Sequence, residues 1–260
     1  MGSDMRVGLA LGGGSVRGLA HLGVIEVLLR EGIPIDFVAG TSVGSLIGAA
    51  FCTGIPLDEI LTLSEKITWL KIVRPHWRAD GIVSFRGIRT LIDELFDTPE
   101  FEDLKIPFAV VATDIDTDAG VVISQGKLGP AVEASCSVAG LVAPVHWNGR
   151  RLADGIFVNA VPVSVVQEMG ADYVIGVDVF QPVIRPRWGF ISHLINAFEI
   201  VLRHSGGGLE SADCLISPDI GGYTYLRFSK RDQLIEKGRQ AAESKVDEIK
   251  KAIFNSEFFG

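Results

Sequence analysis

The sequence lacks the marks of several large protein classes. Only three of its 260 residues are cysteine, and Cys52, Cys136 and Cys214 each lie among apolar or small residues. This count excludes a disulfide-stabilised scaffold and favours buried thiols in a reducing cytoplasm. No cysteine and histidine cluster has the spacing of a metal site, so we expect neither a metal nor a cofactor. The formal net charge of −8 argues against a nucleic-acid partner, which would require a basic surface.

Long apolar runs are also missing. Because no stretch of about eighteen apolar residues occurs, no transmembrane helix is expected. The first strand-like segment begins almost at the N-terminus, so no signal peptide is expected either. Met1 to Asp4 precede a second methionine, Met5, and are expected to be a remnant of a cloning tag. Residues 5–260 are long enough for one large core and are predicted to form a single cytoplasmic domain.

The most informative motif is Gly40-Thr41-Ser42-Val43-Gly44. It follows a strand-like segment and precedes a helix-like one. G-x-S-x-G in this setting indicates a nucleophile elbow, a sharp turn that lifts one serine out of the backbone. Gly40 and Gly44 provide room where neighbouring side chains would clash. The positive end of the following helix favours an oxyanion at Ser42, which is therefore the candidate nucleophile.

A second glycine-rich turn, Gly12-Gly13-Gly14-Ser15-Val16-Arg17-Gly18, lies between the first predicted strand and the first predicted helix. Its backbone N–H groups suit an anion, either a nucleotide phosphate or the oxyanion of an acyl-transfer reaction. A G-x-G-x-x-G register that starts at Gly12 reaches Arg17 instead of glycine. The nucleotide interpretation is therefore the weaker of the two.

A serine nucleophile needs a base. Of the histidines, only His193 and His204 come late enough for the chain order of an α/β-hydrolase triad, and both lie in an aromatic-rich, helix-like segment. An aspartate fits better, because Asp154 ends a short apolar segment and precedes Gly155. An Asp-Gly pair alone is a common turn signal, and it gains weight here beside the two glycine motifs.

Strand-like and helix-like segments alternate along the chain. The pattern predicts strands at 6–11, 35–39, 107–113, 120–123, a pair within 143–153, 173–179 and 213–217, and helices at 17–30, 43–52, within 57–70, within 86–97, 129–137, 162–169, 190–204 and 230–253. This order predicts an α/β fold, a three-layer α/β/α sandwich with a mostly parallel central sheet. Both glycine-rich turns then lie beyond the carboxyl ends of strands, where such sheets carry their active sites.

Taken together, the glycine-rich loop with its arginine, the G-x-S-x-G motif and the Asp-Gly pair resemble the patatin-like phospholipase family in order and spacing. Bacterial members are also similar in the segments Leu9–Arg30, Gly32–Phe51, Ile106–Asp114, Leu152–Val163 and Met169–Asp178. The resemblance covers about residues 6–180. It implies a Ser–Asp dyad without histidine, in which Ser42 is the nucleophile and Asp154 the base.

The resemblance also implies roles for the loop residues. Backbone N–H groups of Gly13, Gly14 and Ser15 would form the oxyanion hole, and Arg17 would anchor the loop. The supporting glycines of the three motifs are Gly12, Gly18, Gly40, Gly44 and Gly155.

Three positions depart from the family pattern. Ser15 replaces the usual glycine, Ile156 replaces a small residue, and Ala139-Gly140 replaces a Pro-Gly pair. These departures affect substrate range and loop shape more than the chemistry.

The implied activity is hydrolysis of carboxylic esters of phospholipids, lysophospholipids or simple alcohols. Two other functions stay open: an adaptor that retains a weakly active dyad, and a nucleotide-binding module that uses residues 12–18. Segments 69–77 and 185–204 mix aromatic and basic residues, which suits peripheral contact with the inner membrane face, core packing or a homo-oligomer interface. Asp114, Asp116 and Asp118 indicate a solvated turn, because the other ligands of a calcium loop are missing.

Overall fold

The computed structural model describes residues 5–78, 80–97, 99–180 and 199–254. Its strands are β1 (Val7–Leu11), β2 (Phe37–Thr41), β3 (Arg74–Arg78), β4 (Gly81–Ser84), β5 (Phe108–Asp114), β6 (Ala119–Ile123), β7 (Val145–Trp147), β8 (Arg150–Asp154), β9 (Tyr173–Val177) and β10 (Cys214–Ile216). Its helices are α1 (Ala20–Arg30), α2 (Val43–Cys52), α3 (Leu57–Glu65), α4 (Trp69–Ile72), α5 (Arg86–Phe96), α6 (Leu128–Cys136), α7 (Val163–Glu168), α8 (Gly208–Ser211), α9 (Arg231–Glu243) and α10 (Val246–Phe254). Short 3-10 turns cover Ser15–Leu19, Phe101–Asp103, Gly155–Phe157, Ser205–Gly207 and Phe228–Lys230.

The main sheet has the strand order β10-β9-β1-β2-β5-β8-β7, and β6 pairs with β5. The pairs among β10, β9, β1, β2 and β5 are parallel, whereas β6, β7 and β8 join antiparallel. Parallel strands need crossover connections, and the alternating α/β order of the chain supplies them. Because β1 and β2 are parallel neighbours, their carboxyl ends, and both glycine-rich turns, meet at one edge of the sheet.

Both faces of this sheet are covered. Along β1, Val7, Leu9 and Leu11 belong to the large cluster that includes α1, α2 and α9. Ala10 points to the opposite face, in a smaller cluster with residues of α7. Alternate side chains of a strand point to opposite faces, so one apolar strand serves two helical layers. The predicted three-layer sandwich with a mostly parallel sheet is confirmed.

Most predicted elements match the structure to within one or two residues at each end, for example β9, which ends at Val177 instead of 179. Two predictions need a physical explanation. The second strand covers Phe37–Thr41 instead of 35–39, because Asp36 exchanges hydrogen bonds with Val7 at the strand start. The single helix predicted at 230–253 is two helices, α9 and α10. At the break the Ser244 hydroxyl donates to the Ala241 carbonyl, and such local bonds compete with the helical ladder.

The other differences concern short elements and the ends of the described ranges. The β3–β4 hairpin was not predicted, and the first helix begins with a 3-10 turn, Ser15–Leu19. Most of the predicted helix 190–204, most of the aromatic segment 185–204, His193 and Met1 to Asp4 lie outside the described residues. Within the described ranges, no helix is both long and apolar enough to cross a bilayer.

Candidate active site

Ser42 lies at a strained turn between β2 and α2. Its backbone has φ 54° and ψ −126°, a left-handed conformation that costs energy for any residue other than glycine. Hydrogen bonds hold the turn in place. The Ser42 carbonyl accepts from the Ser45 amide at 2.8 Å and from the Ser45 hydroxyl at 2.6 Å. Such a turn raises the Ser42 side chain above the sheet edge, as the G-x-S-x-G motif predicts.

The two glycines of the motif are required by close packing. A Cβ atom on Gly40 would lie 2.5 Å from the Ser45 Cα atom, and one on Gly44 would overlap the Leu11 carbonyl. Gly44 therefore lets α2 start directly against the end of β1. This contact brings the elbow beside the glycine-rich loop that follows β1.

Asp154 reaches Ser42 from the antiparallel side of the sheet. It is the last residue of β8 and pairs with Ala112 of β5, the strand beside β2. The Ser42 Oγ donates to Asp154 Oδ2 at 2.6 Å. The other carboxylate oxygen accepts the Ile156 amide at 2.9 Å. Both dyad candidates are buried, with Ser42 8% and Asp154 1% exposed.

The surroundings of Asp154 change its acidity. Burial disfavours the charged carboxylate and raises the pKa of Asp154 from 3.8 to about 7, although the hydrogen bonds from Ser42 and Ile156 act in the opposite direction. A carboxylate with this pKa accepts a proton from serine far more readily than a solvated aspartate does. In the described part of the chain, neither residue has a hydrogen bond to a histidine.

The glycine-rich loop offers fewer anion donors than the sequence suggests. The Gly12 amide donates to Val177 O and the Gly13 amide to Ala160 O, each at 3.0 Å. In this conformation Gly13 is therefore not an oxyanion donor, in contrast to the expectation for Gly13, Gly14 and Ser15. The amides of Gly14 and Ser15 have no backbone partner within the described ranges. Gly13 has a steric role, because a Cβ atom there would lie 3.3 Å from Ser42 Cβ.

Arg17 anchors this loop to a distant part of the chain. Its fully buried guanidinium donates to the Tyr223 carbonyl from Nε at 2.9 Å and from Nη2 at 2.6 Å. It also lies over the Tyr225 ring, 4.2 Å from the ring centroid. The Ser15 hydroxyl adds a bond to the Tyr225 carbonyl at 2.8 Å. Sequence reasoning assigned the anchoring role to Arg17 but did not identify its partner, segment 221–225.

His21 holds the glycine-rich loop through a buried hydrogen bond. Its Nε2 atom lies 2.8 Å from the Gly12 carbonyl oxygen. Burial lowers the pKa of His21 to about 4, so the ring is neutral at physiological pH and its Nε2–H donates to that carbonyl. The bond fixes the peptide group between Gly12 and Gly13. Sequence reasoning gave His21 no role.

Ser135 is the other residue that sequence reasoning missed. Its hydroxyl accepts the Ser42 amide at 2.8 Å and donates to the Val111 carbonyl at 2.6 Å. It thereby joins the elbow to the strand that lies between Ser42 and Asp154. Its signal in the sequence is weak, because serine is common in helices of small residues that only pack against a sheet.

Ser135→Ala is expected to lower stability by about 2–3 kcal/mol, because two buried backbone groups lose their partner. Turnover should fall as well, since the elbow loses a bond at Ser42. Ser137→Ala is the matched control, because Ser137 is equally buried but its hydroxyl bonds only the Glu133 carbonyl of the preceding helix, and its backbone bonds do not depend on the side chain. Urea unfolding of both variants measures the difference. Equal stability of the two would contradict the bridging role of Ser135.

A large apolar cavity adjoins Ser42. Its volume is about 660 Å³, and apart from Ser15, Ser42 and Ser64 all its lining residues are apolar or aromatic. Helices α1 to α5 contribute most of the lining. A cavity of this size and composition suits a flexible apolar chain.

Asp116 and His76 do not line this cavity, whereas Cys136 does. Asp116 forms an ion pair with Arg151, and His76 contacts Asp80. Over the described ranges, no set of three or more acidic, histidine and cysteine side chains is arranged to hold a metal ion. The three cysteines are unpaired and buried.

Comparison with known proteins identifies the family. The profile of the patatin-like phospholipase family matches residues 9–166, and the chain belongs to this family. An uncharacterized NTE family protein of Mycobacterium tuberculosis (strain ATCC 25618 / H37Rv) is 35% identical over 180 residues, which are 68% of this chain and 50% of that protein. The family resemblance of the motifs is thereby confirmed.

Two eukaryotic relatives are also similar. Neuropathy target esterase sws of Drosophila melanogaster is 33% identical over 181 residues, covering 66% of this chain and 13% of that protein. Lysophospholipase NTE1 of Scheffersomyces stipitis is 29% identical over 275 residues, covering 93% of this chain and 18% of that protein. The chain thus spans half or less of the length of these relatives.

Two solved structures share the fold. VipD from Legionella pneumophila superimposes with a TM-score of 0.64 and 12% identity, covering 94% of this chain and 67% of that chain. The type III effector ExoU superimposes with a TM-score of 0.52 and 13% identity, covering 95% of this chain and 54% of that chain. At these identities the likeness concerns the fold alone.

Proposed function

We propose that the protein is a serine acyl hydrolase that cleaves carboxylic esters of lipids through a Ser42–Asp154 dyad. The observation that carries the proposal is the 2.6 Å hydrogen bond from Ser42 Oγ to Asp154 Oδ2 at the wall of the apolar cavity. Membership of the patatin-like phospholipase family and the similarity to lysophospholipases support a lipid ester as the substrate. The substrate class comprises phospholipids, lysophospholipids and simple long-chain esters.

The proposed reaction has two halves. Asp154 accepts the Ser42 proton while Oγ forms a bond to the ester carbonyl carbon, and the same proton is then passed to the departing alcohol. The acyl group is left on Ser42. In the second half Asp154 takes a proton from water, whose oxygen attacks the acyl carbonyl, and Ser42 Oγ departs with that proton. Only a carboxylate that is ionised in the resting enzyme can begin either half.

The oxyanion of each half requires preorganised donors. In the proposal these are the backbone N–H groups of Gly14 and Ser15, together with the positive end of α2. In other enzymes the loss of one such donor costs about 2.7–4 kcal/mol of transition-state stabilisation. Arg17 and His21 hold the loop that carries these amides, so they are positioning residues.

The acyl chain would lie in the apolar cavity and the alcohol portion outside it. The proposal includes peripheral contact with the inner face of a membrane, where a cytoplasmic enzyme would meet lipid esters. The three unpaired, buried cysteines agree with a reducing compartment. Self-association stays a prediction, for which light scattering is the measurement.

Covalent labelling tests the proposal. A long-chain alkyl fluorophosphonate should add once to the wild type, as seen by intact-mass analysis, and not at all to Ser42→Ala. Asp154→Asn should label slowly, because the base is lost while Ser42 remains. Absence of an adduct on folded wild type would contradict the hydrolase and favour an adaptor that binds a partner protein. Stabilisation by added nucleotides would favour the nucleotide-binding alternative.

A further inference from the structure

Four large exposed apolar side chains either line the cavity or lie next in the chain to a residue that lines it. They are Leu70 at 89%, Ile82 at 62%, Leu141 at 53% and Leu226 at 66% exposure, and they are called the rim here. Leu141 and Leu226 also line the cavity, so the cavity reaches the surface where they lie. Single exposed apolar residues are ordinary, whereas a group at the mouth of one cavity indicates an interaction site.

One hydrogen bond joins two rim residues directly, and another joins Leu226 to the residue before Leu70. Leu70 follows Trp69 in α4, and the Trp69 indole Nε1 donates to the Leu226 carbonyl at 2.8 Å. The Ile82 amide donates to the Leu141 carbonyl at 3.1 Å. Trp69 lines the cavity between these exposed positions and the interior. The rim therefore continues the apolar wall of the cavity out to solvent.

Basic residues flank this rim in an acidic chain. Segment 66–78 contains Lys66, Lys71, Arg74 and Arg78 and no acidic residue. Segment 220–230 contains Arg227 and Lys230 and again no acidic residue. The chain as a whole carries a net charge of −8. Positive charge is thus concentrated beside the exposed apolar side chains.

A small cleft beside Leu226 adds a place for an anion. Its volume is about 270 Å³, and Thr224, Arg227 and Lys230 are among its lining residues. A hydroxyl and two cationic side chains suit the phosphate of a lipid headgroup. The cleft lies on the segment that Arg17 holds against the glycine-rich loop.

We propose that the rim is the surface by which this protein docks on an anionic lipid bilayer. The inference rests on the proposed function, because it assigns the cavity to an acyl chain drawn from that bilayer. Apolar side chains enter the acyl boundary of a membrane, and each nearby lysine or arginine adds attraction to anionic headgroups. Continuity of the rim with the cavity favours a lipid surface over a protein partner.

Vesicle co-sedimentation of the full chain tests the docking surface. The wild type should bind vesicles of phosphatidylglycerol and phosphatidylcholine more tightly than vesicles of phosphatidylcholine alone. Leu70→Ser/Ile82→Ser and Lys71→Glu/Arg227→Glu should each weaken binding to the anionic vesicles at least about tenfold. Equal binding by both variants and the wild type would overturn the proposal.

Matched controls separate the rim from general surface chemistry. Leu29→Ser removes an exposed leucine of α1 (45% exposed), and Lys237→Glu/Lys251→Glu changes the net charge as much on α9 and α10. Both controls should bind vesicles within about twofold of the wild type. Equal losses of vesicle binding in the controls would assign the effect to net charge or general hydrophobicity and would overturn the proposal that the rim is the docking surface.

A second readout distinguishes this inference from the proposed function. Leu70→Ser/Ile82→Ser should keep the wild-type rate of Ser42 labelling by a water-soluble fluorophosphonate, because neither residue lines the cavity and the dyad is untouched. Vesicle binding that depends on the rim in a protein whose Ser42 never labels would support the docking surface and contradict the hydrolase. Dimers that dissociate in the rim variants, without any vesicle binding, would make the rim a contact between copies and overturn the inference.

Discussion

Ser42→Ala is expected to reduce ester turnover by about 10⁴-fold or more. In the proposed reaction the hydroxyl supplies the atom that becomes acylated, and alanine has no atom that replaces it. In another serine hydrolase, loss of the nucleophile alone costs about 10⁶ in kcat. The remaining rate should reflect only the polar environment of the loop amides and binding in the cavity. Hydrolysis of a soluble chromogenic ester by purified variants is the measurement.

The same experiment tests whether Ser42 and Asp154 act as one unit. Ser42→Ala/Asp154→Asn should be no slower than Ser42→Ala alone, because groups that act together are strongly non-additive. Ser137→Ala should retain most of the activity, since it removes an equally buried hydroxyl that bonds only the Glu133 carbonyl and leaves the bond from the Asp154 amide to the Ser137 carbonyl in place. Urea unfolding verifies that each variant is folded. Substantial turnover by Ser42→Ala would mean that another residue carries the reaction.

The sequence predicts the parts of this fold that depend on short-range patterns. Glycine spacing and apolar runs identify the two turns after β1 and β2, because close backbone contact requires glycine at those positions. The same reasoning selects Ser42, since the elbow is a local structure. Asp154 depends on the family resemblance, because an Asp-Gly pair by itself is an ordinary turn.

Short-range sequence patterns cannot predict contacts between segments that are far apart in the sequence. Arg17 and segment 221–225 are about 200 residues apart in the sequence, and nothing near either one indicates the other. The bond from the Ser42 amide to the Ser135 hydroxyl likewise joins residues that are 93 positions apart. The hydrogen bond from the Gly13 amide to the Ala160 carbonyl could not be predicted from the sequence either. It leaves Gly14 and Ser15 as the donors of the proposed oxyanion hole.

The fold also explains why the proposed base is buried while the entrance to the cavity is exposed to solvent. Asp154 lies at the end of β8 inside the sheet layer, whereas the cavity extends through the helices on one face. In the proposed reaction a substrate chain enters along apolar walls and meets the carboxylate only at Ser42. The buried position that makes Asp154 a useful base is itself unfavourable for the folded protein. Activity and stability are then coupled through one carboxyl group.

This coupling leads to opposite expectations for activity and stability in Asp154→Asn. Wild-type activity should rise with pH through about 7, because Asp154 must be ionised to act and its pKa is about 7. The variant should lose about 10³-fold or more of the turnover at pH 8, since asparagine cannot accept the proton. Asparagine can still accept the Ile156 amide, so the fold should persist. Initial rates from pH 5.5 to 8.5 are the measurement.

The stability of the wild type should change with pH in the opposite sense to its activity. Between pH 4 and 7 the folded wild type keeps a proton on Asp154 that the unfolded chain, with a pKa of 3.8, has released. Its free energy of unfolding therefore falls as pH rises through this window and becomes constant above it. By pH 8 the loss amounts to about 4 kcal/mol. Asparagine does not titrate, so the variant should approach wild-type stability near pH 4 and exceed it at pH 8. Urea unfolding of both proteins at the two pH values measures this difference, and a pH-independent difference would mean that burial does not raise the pKa of Asp154.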